Sequence, residues 1–271
     1  MAMSSRPNVL AIAGSDSGGC SGIQADLKTL AACGVHGLSV ITAVTAQNTR
    51  RVESIHRVPP AAVAAQLRAL LDDFPIGATK IGMLASAANV DAIASALSGS
   101  RMRNVVIDPV LASSSGTSLL PARGLLRLRR ALFPLATLLT PNIPEAELLL
   151  GRRIRRPADL APAARDLLET GACAVLIKGG HLRSRQVHDV LVDAAATLEF
   201  AHARVPRLAR GTGCSLSSAI AAGLARKLEL ADAVAQAERF LQAALAGAYR
   251  PGRGPRHALD QFAHLEKPFG R

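Results

Sequence analysis

Arg210-Gly211-Thr212-Gly213-Cys214-Ser215 joins a glycine-rich turn to a run of small residues, Leu216 to Ala222, that reads as a helix. Glycines let successive N–H groups converge on one concavity, and a helix start adds the positive end of its dipole. Such a loop suits an anion, including the charge that develops on a phosphoryl group in transfer. Taken alone, a bare Gly-x-Gly turn more often reads as an ordinary loop, here capped by Thr212 or Ser215. A fixed cation comes from Lys178, which ends an apolar strand and precedes Gly179-Gly180, where the backbone can approach a phosphate closely. No Gly-x4-Gly-Lys-Ser/Thr stretch is present, so a Walker loop does not hold the phosphates. The first glycine-rich loop, Ser15 to Gly22, does not follow Gly-x-Gly-x-x-Gly, which weakens a dinucleotide reading.

These groups need a frame. Asn8 to Ala13 is an unbroken apolar run of the kind found in a strand buried on both faces, and a helical pattern from Ile23 to Cys33 follows its loop. Further strands are predicted over 38–46, 52–58, 78–81, 104–108, 137–139 and 174–177, with a polar-edged hairpin over 187–192 and 197–205. Helices are predicted over 60–74, 87–97, 122–132, 145–150, 157–170, 214–226 and 231–248. Strands alternating with helices point to one doubly wound sheet, parallel in its body, in a single domain spanning 1–271. Ligands of such sheets gather outside the carboxyl ends of the strands. Asp16, Gln47, Lys80, Asp108, Asn142 and Lys178 all fall at or near those ends.

Composition narrows the function classes. The 271 residues are 49% hydrophobic and 19% charged, enough apolar material for a large core. Aromatics are only 3%, so Ala, Leu, Val and Ile supply the bulk, as suits helices laid on a parallel sheet. The net charge of +12 raises the possibility of nucleic acid, but the Arg residues are scattered and no aromatics interleave with them, so a solvated surface is the expectation. The four cysteines, Cys20, Cys33, Cys173 and Cys214, have neither zinc-knuckle nor redox-pair spacing. Neither a secretory signal nor an apolar run of membrane-spanning length is evident, so a cytoplasmic enzyme with no membrane partner is expected.

Eight motifs, in order, carry a resemblance. They are Ala13-Gly-Ser-Asp-Ser-Gly-Gly19, Gly22-Ile-Gln-Ala-Asp-Leu-Lys28, Thr42-Ala-Val-Thr-Ala-Gln-Asn-Thr49, Lys80-Ile-Gly-Met-Leu84, Asp108-Pro-Val110, Thr140-Pro-Asn142, Lys178-Gly-Gly-His181 and Gly211-Thr-Gly-Cys214. In this series the chain resembles the hydroxymethylpyrimidine/phosphomethylpyrimidine kinases of thiamine biosynthesis, members of the ribokinase-like superfamily. The resemblance implies a three-layer α/β/α sandwich and a homodimer. It also implies two phosphorylations from ATP with Mg²⁺, of 4-amino-5-hydroxymethyl-2-methylpyrimidine and then of its monophosphate. It sets the small-molecule pyrimidine near Gly14, Asp26, Gln47, Met83 and Val110. Asn142, Glu145, Lys178 and Gly213 fall to ATP, Asp108 and Glu145 to the metal region, and Gly211 to Cys214, with Lys178, to catalysis.

Most ribokinase-like kinases carry Asp where this chain has Cys214. A thiolate base at a helix start, or a small residue shaping the anion hole through its N–H, are the two readings, with the base role assigned to the first phosphorylation. The chain departs from common family forms at Cys20-Ser21, at Ser114 where some members have Lys, at Arg210 where His often stands, and at Ser215 in place of Thr. Arg210 could compensate for the missing lysine charge. The alternatives are a pyridoxal or pyridoxine kinase of the same fold, a basic nucleic-acid-binding protein and a nucleotide-dependent dehydratase.

Overall fold

The computed structural model describes residues 6–100, 102–113 and 116–265, so Ser114 lies outside the described residues. Strand β1 (Asn8–Asp16) has no polar face to offer water, and Val9 to Ile12 are fully buried. It therefore takes an interior position in the sheet, flanked in parallel by β2 (His36–Gln47) and β4 (Ile76–Ile81). Beyond β4 the parallel order continues through β5 (Val105–Ile107), β6 (Leu138–Leu139) and β7 (Ala174–Ile177). Antiparallel strands close both edges: β3 (Val52–Arg57) beside β2, and β8 (Gln186–Asp193) followed by β9 (Thr197–Ala203) beside β7. The nine-stranded order is β3-β2-β1-β4-β5-β6-β7-β8-β9.

Alternate residues of each strand serve opposite layers, as the pleat requires. Leu10 and Ile12 meet one set of helices, α2 (Pro60–Asp73), α3 (Ala87–Ser98), α5 (Ile143–Leu150) and α6 (Leu160–Leu168), with α4 (Ala122–Arg127) at its edge. Val9, Ala11 and Ala13 meet the other set, α1 (Gly22–Ala32), α7 (Thr212–Ala225) and α8 (Leu230–Ala246). Each fully buried Leu or Ile contributes about 1.5–3 kcal/mol. The second layer is built differently, from Ala219, Ala221, Ala222, Ala233 and Ala237, so its helices approach one another and the sheet closely. A Cβ on Gly223 would stand 2.9 Å from that of Ala233.

The expected three-layer, mostly parallel architecture is present, with local differences. The helix expected over 122–132 becomes a π-turn at Leu128–Leu132 and a 3₁₀ turn at Phe133–Leu135, where Pro134 has no N–H to continue the ladder. Helix α5 starts at Ile143 rather than Glu145, because Asn142 caps it. Two-residue strands β10 (Ala209–Arg210) and β11 (His257–Ala258) pair in parallel and hold the approach to α7; they are too short to leave a sequence pattern. No helix among the described residues is long and apolar enough to cross a membrane.

Candidate active site

A cleft of about 810 Å³ opens at the carboxyl rim, and all six strand-end residues singled out in the sequence line it: Asp16, Gln47, Lys80, Asp108, Asn142 and Lys178. Beyond the ends of β6 and β7, Asn142 and Lys178 form a further parallel bridge. Lys178 N–H donates to the Pro141 carbonyl at 2.9 Å, which aims its side chain across the rim. Its Nζ donates to Asp108 Oδ1 at 2.7 Å, with side-chain exposures of 12% and 3%. Burial alone would lower Lys178, but the charges of Asp108 and Glu145 outweigh it and raise the ammonium above its ordinary value.

Asn142 and Glu145 form a reciprocal cap on α5. Glu145 N–H donates to Asn142 Oδ1 at 3.0 Å, and Asn142 N–H donates to Glu145 Oε2 at 2.9 Å. Both side chains therefore serve first to finish a helix start. Glu145 still lines the cleft and faces Lys178 and Asp108; burial pushes its carboxyl up to about 8 although the lysine pulls it down.

The start of α7 arrives from the opposite layer. Gly211 takes the left-handed region at φ 78°, and a Cβ there would stand 2.1 Å from the Cys20 carbonyl oxygen, so only glycine turns the chain into the helix. Gly213 is needed for space: its Cβ would lie 3.0 Å from Lys178 Nζ and 3.4 Å from Asp108 Oδ2. No side chain caps the helix, and Ser215 Oγ is buried without a partner, so the capped-loop alternative does not describe this turn. The first N–H groups of α7 face the cleft beside an ammonium, which is the concavity an anion needs.

Cys214 lines the same concavity. Burial pushes its thiol up to about 11, with Asp26 and Asp108 adding to the rise and Lys80 and the Gly22 N–H opposing it. Burial beside two carboxylates therefore opposes the lowering that a helix start gives a thiol.

Elsewhere in the cleft wall lie Gly14, Gln47 and the apolar side chains of Met83 and Val110. A Cβ on Gly14 would reach within 2.8 Å of Met83 Sδ, so the glycine makes room for the thioether. Gln47 is half-buried, and its Nε2 donates to Ser21 Oγ at 3.3 Å. The loop that carries Ser21 is wound around Asp16, whose carboxylate accepts from the N–H groups of Gly18, Cys20 and Ser21 and from Ser21 Oγ at 2.7–3.2 Å.

Asp26 is placed differently from the expectation. It is fully buried and does not line the cleft. Its carboxylate accepts two bonds from Lys80 Nζ, each 2.9 Å, and one from Ser218 Oγ at 2.9 Å, so three of its roughly four acceptor positions are filled from within the protein. Lys80, a lysine inside the apolar strand Ile76–Ile81, was the available signal for this pair. Arg210 lines the cleft as a nearly buried cation, with Nη1 donating to the Asn48 carbonyl.

The sequence and fold have close counterparts. A profile of the family described as phosphomethylpyrimidine kinase matches residues 16–258. The hydroxymethylpyrimidine/phosphomethylpyrimidine kinase of Rhizobium meliloti is 46% identical over 259 residues, covering 93% of this chain and 97% of that protein. The Escherichia coli protein of the same name is 45% identical over 245 residues, covering 90% and 92%. A thiamine biosynthesis bifunctional protein of Geobacter sulfurreducens is 49% identical over 250 residues, which is 92% of this chain but only 51% of that protein's length. Among solved structures, an ADP complex of Bacillus subtilis pyridoxal kinase superposes with a TM-score of 0.88 at 30% identity, covering 96% of this chain and 99% of that one. Phosphomethylpyrimidine kinase from Clostridium difficile superposes at 0.79 with 38% identity, covering 88% and 98%. These neighbours bear out the ribokinase-like architecture. Matched in sequence and in fold along most of its length, the chain belongs to the phosphomethylpyrimidine kinase family.

Proposed function

We propose that this protein transfers the γ-phosphoryl group of ATP to the hydroxymethyl oxygen of 4-amino-5-hydroxymethyl-2-methylpyrimidine, and then a second phosphoryl group to the monophosphate, in thiamine biosynthesis. The observation that carries this reading is the approach of the α7 start to Lys178 and Asp108, with Gly213 leaving the space between them. In each step an oxygen–phosphorus bond forms to the acceptor and the bond from Pγ to the ADP oxygen breaks. The N–H groups of Thr212, Gly213 and Cys214 and the Lys178 ammonium stabilise charge on the transferring group. Gly14, Met83 and Val110 hold the flat ring, and Gln47 supplies both a donor and an acceptor for its polar edge. Asp26 acts from behind, by fixing Lys80.

The oxygen donors of Asp108 and Glu145, both facing Lys178, fit Mg²⁺, which binds few protein ligands and keeps several waters. When bound with ATP, the ion neutralises phosphate charge. Asn142 holds Glu145 in place for this through the reciprocal cap. Cys214 contributes its N–H and its small volume in this reading. The hydroxyl proton leaves late in a loose transition state and passes to the transferred phosphoryl oxygen, so no thiolate is required. Residues 1–271 act as one kinase domain in a cytoplasmic homodimer, a part of the proposal supported by family resemblance.

The decisive measurement is ATP-dependent turnover of the hydroxymethylpyrimidine, with monophosphate and diphosphate quantified separately. Sequential appearance of both is expected. The pyridoxal kinase neighbours supply the second reading, and faster phosphorylation of pyridoxal with no pyrimidine diphosphate would establish it instead.

A further inference from the structure

Away from the phosphate groups, the cleft wall contains a cluster that phosphotransfer does not use. Asp189 sits mid-strand in β8, on the side that turns its neighbour Leu191 toward α7 and α8. His202 comes from β9, in the same alternation as Phe200, which packs on that layer too. Opposite them α8 presents an apolar stripe, Val234, Ala237, Leu241 and Ala244, and Glu238 interrupts it. One donor atom from each of Asp189, His202 and Glu238 lies within 4.8 Å of the others. His202 Nδ1 and Glu238 Oε2 are 3.8 Å apart, inside the roughly 4.2 Å that two metal–ligand bonds of about 2.1 Å can span.

Glu238 is the informative member. It is 6% exposed, and its carboxyl has no hydrogen-bond partner outside the cluster, where it meets the Asp189 carboxyl and His202. Glu238 and Asp189 are two buried carboxyls facing each other, an arrangement that a shared proton or a bound cation relieves. Asp189 is already oriented from its far side, because its Oδ1 accepts the Gly179 N–H at 2.6 Å. The nearby Arg204 guanidinium is occupied by the carbonyls of Gly180, Leu182 and Ser184. Asp189 and His202 both line the cleft, so a further coordination position opens to solvent or to a bound nucleotide.

We propose that Asp189, His202 and Glu238 form a divalent-metal site, distinct from the Mg²⁺ position at Asp108 and Glu145, and suited by its one imidazole and two carboxylates to Zn²⁺ or Mn²⁺. Two carboxylates and a neutral imidazole balance a divalent charge, and three protein ligands with an open position are a common zinc arrangement. Through the Asp189–Gly179 bond, an ion here braces the loop that carries Lys178.

The test uses the full chain, freed of metal and without nucleotide. Titration with Zn²⁺ alone in a calorimeter should show one equivalent bound, and Co²⁺ alone should give d–d absorption bands characteristic of a coordinated site. Glu238→Gln and His202→Ala should each weaken Zn²⁺ by at least about tenfold, since even loss of an outer partner of a ligand costs 10–100-fold. Glu145→Gln should leave Zn²⁺ affinity unchanged. Zn²⁺ should raise the melting temperature of the parent protein and not that of Glu238→Gln. Absence of Zn²⁺ binding to the parent protein overturns the proposal whatever the variants do, as does equal binding by parent and Glu238→Gln; the cluster is then a carboxyl pair sharing a proton.

Discussion

Two lysines reach the same rim, each paired with an aspartate, and they differ in what else can reach them. The side chains of Lys80 and Asp26 are both fully buried, Lys80 just behind the cleft wall, and Ser218 from α7 adds a third bond to the carboxylate. Lys178 and Asp108 keep one side toward the cleft, where Gly213 and Glu145 stand within range. Burial alone would lower Lys80, but Asp26, with Cys214 and Asp108 beyond it, outweighs that and raises it, as the carboxylates do for Lys178. The ion-pair chemistry is the same. What separates a pin that ties α1, β4 and α7 together from a charge available to a substrate is whether the pair's remaining bonds are filled by protein.

That distinction can be broken most directly at Lys80. Lys80→Met should leave Asp26 as a buried carboxylate with only Ser218 for support, and destabilise the fold by about 3–5 kcal/mol. Urea denaturation measures this, and adding Asp26→Leu should recover much of the loss. A Lys80→Met protein as stable as the parent would mean that the sealed pair is no pin at all.

Lys178→Ala should do the reverse. Its cost falls on turnover, with kcat for both phosphorylations reduced about 10²–10³-fold, as for loss of one transition-state donor, and a smaller change in stability than Lys80→Met. An unchanged kcat would remove Lys178 from the phosphate site. Cys214→Ala sharpens the chemistry beside it. If the residue acts by position, both phosphorylations should slow by a similar, modest factor; a loss confined to the first would reinstate a thiolate base. Consistent with a thiol at about 11, iodoacetamide at pH 7 should label the exposed Cys173 well before Cys214, as read by peptide mass spectrometry.

Much of this frame was legible in the chain itself. The β1 run has no polar alternation, so it had to be buried on both faces, and the Gly211-to-Cys214 turn could be read because glycine's two uses, positive φ and close approach, both lie in the backbone. What could not be read depends on residues distant in sequence meeting in space. Nothing near Asp26 in the chain shows that Lys80, 54 residues on, bonds both its oxygens. The rise of the Cys214 thiol likewise comes from burial and from Asp26 and Asp108, none of which a local helix-dipole argument includes. Glu238 reads as one surface charge on an amphipathic helix; only the packing of α8 onto β8 and β9 shows it within the apolar stripe.

Glu145 offers the finest test of how open the Lys178 pair is. Its folded carboxyl is raised from 4.5 to about 8, with burial the largest cause and the Lys178 charge too small to cancel it. A folded-state value above the unfolded one means that the native protein holds the extra proton between those limits. Stability should therefore fall as pH rises from about 4.5 toward about 8, by at most about 1.4 kcal/mol per pH unit for one proton. Glu145→Gln removes that titration, so the difference in urea stability between parent and variant should shift against the parent across this window and level off above it. Glu238 titrates in both proteins and cancels from the difference. Adding Mg²⁺ with ATP should flatten the parent's slope, because a cation near Glu145 favours its charged form. A parent–variant difference that is constant from pH 5 to 8.5 would mean that Lys178 already balances Glu145, and that the open pair is as self-contained as the sealed one.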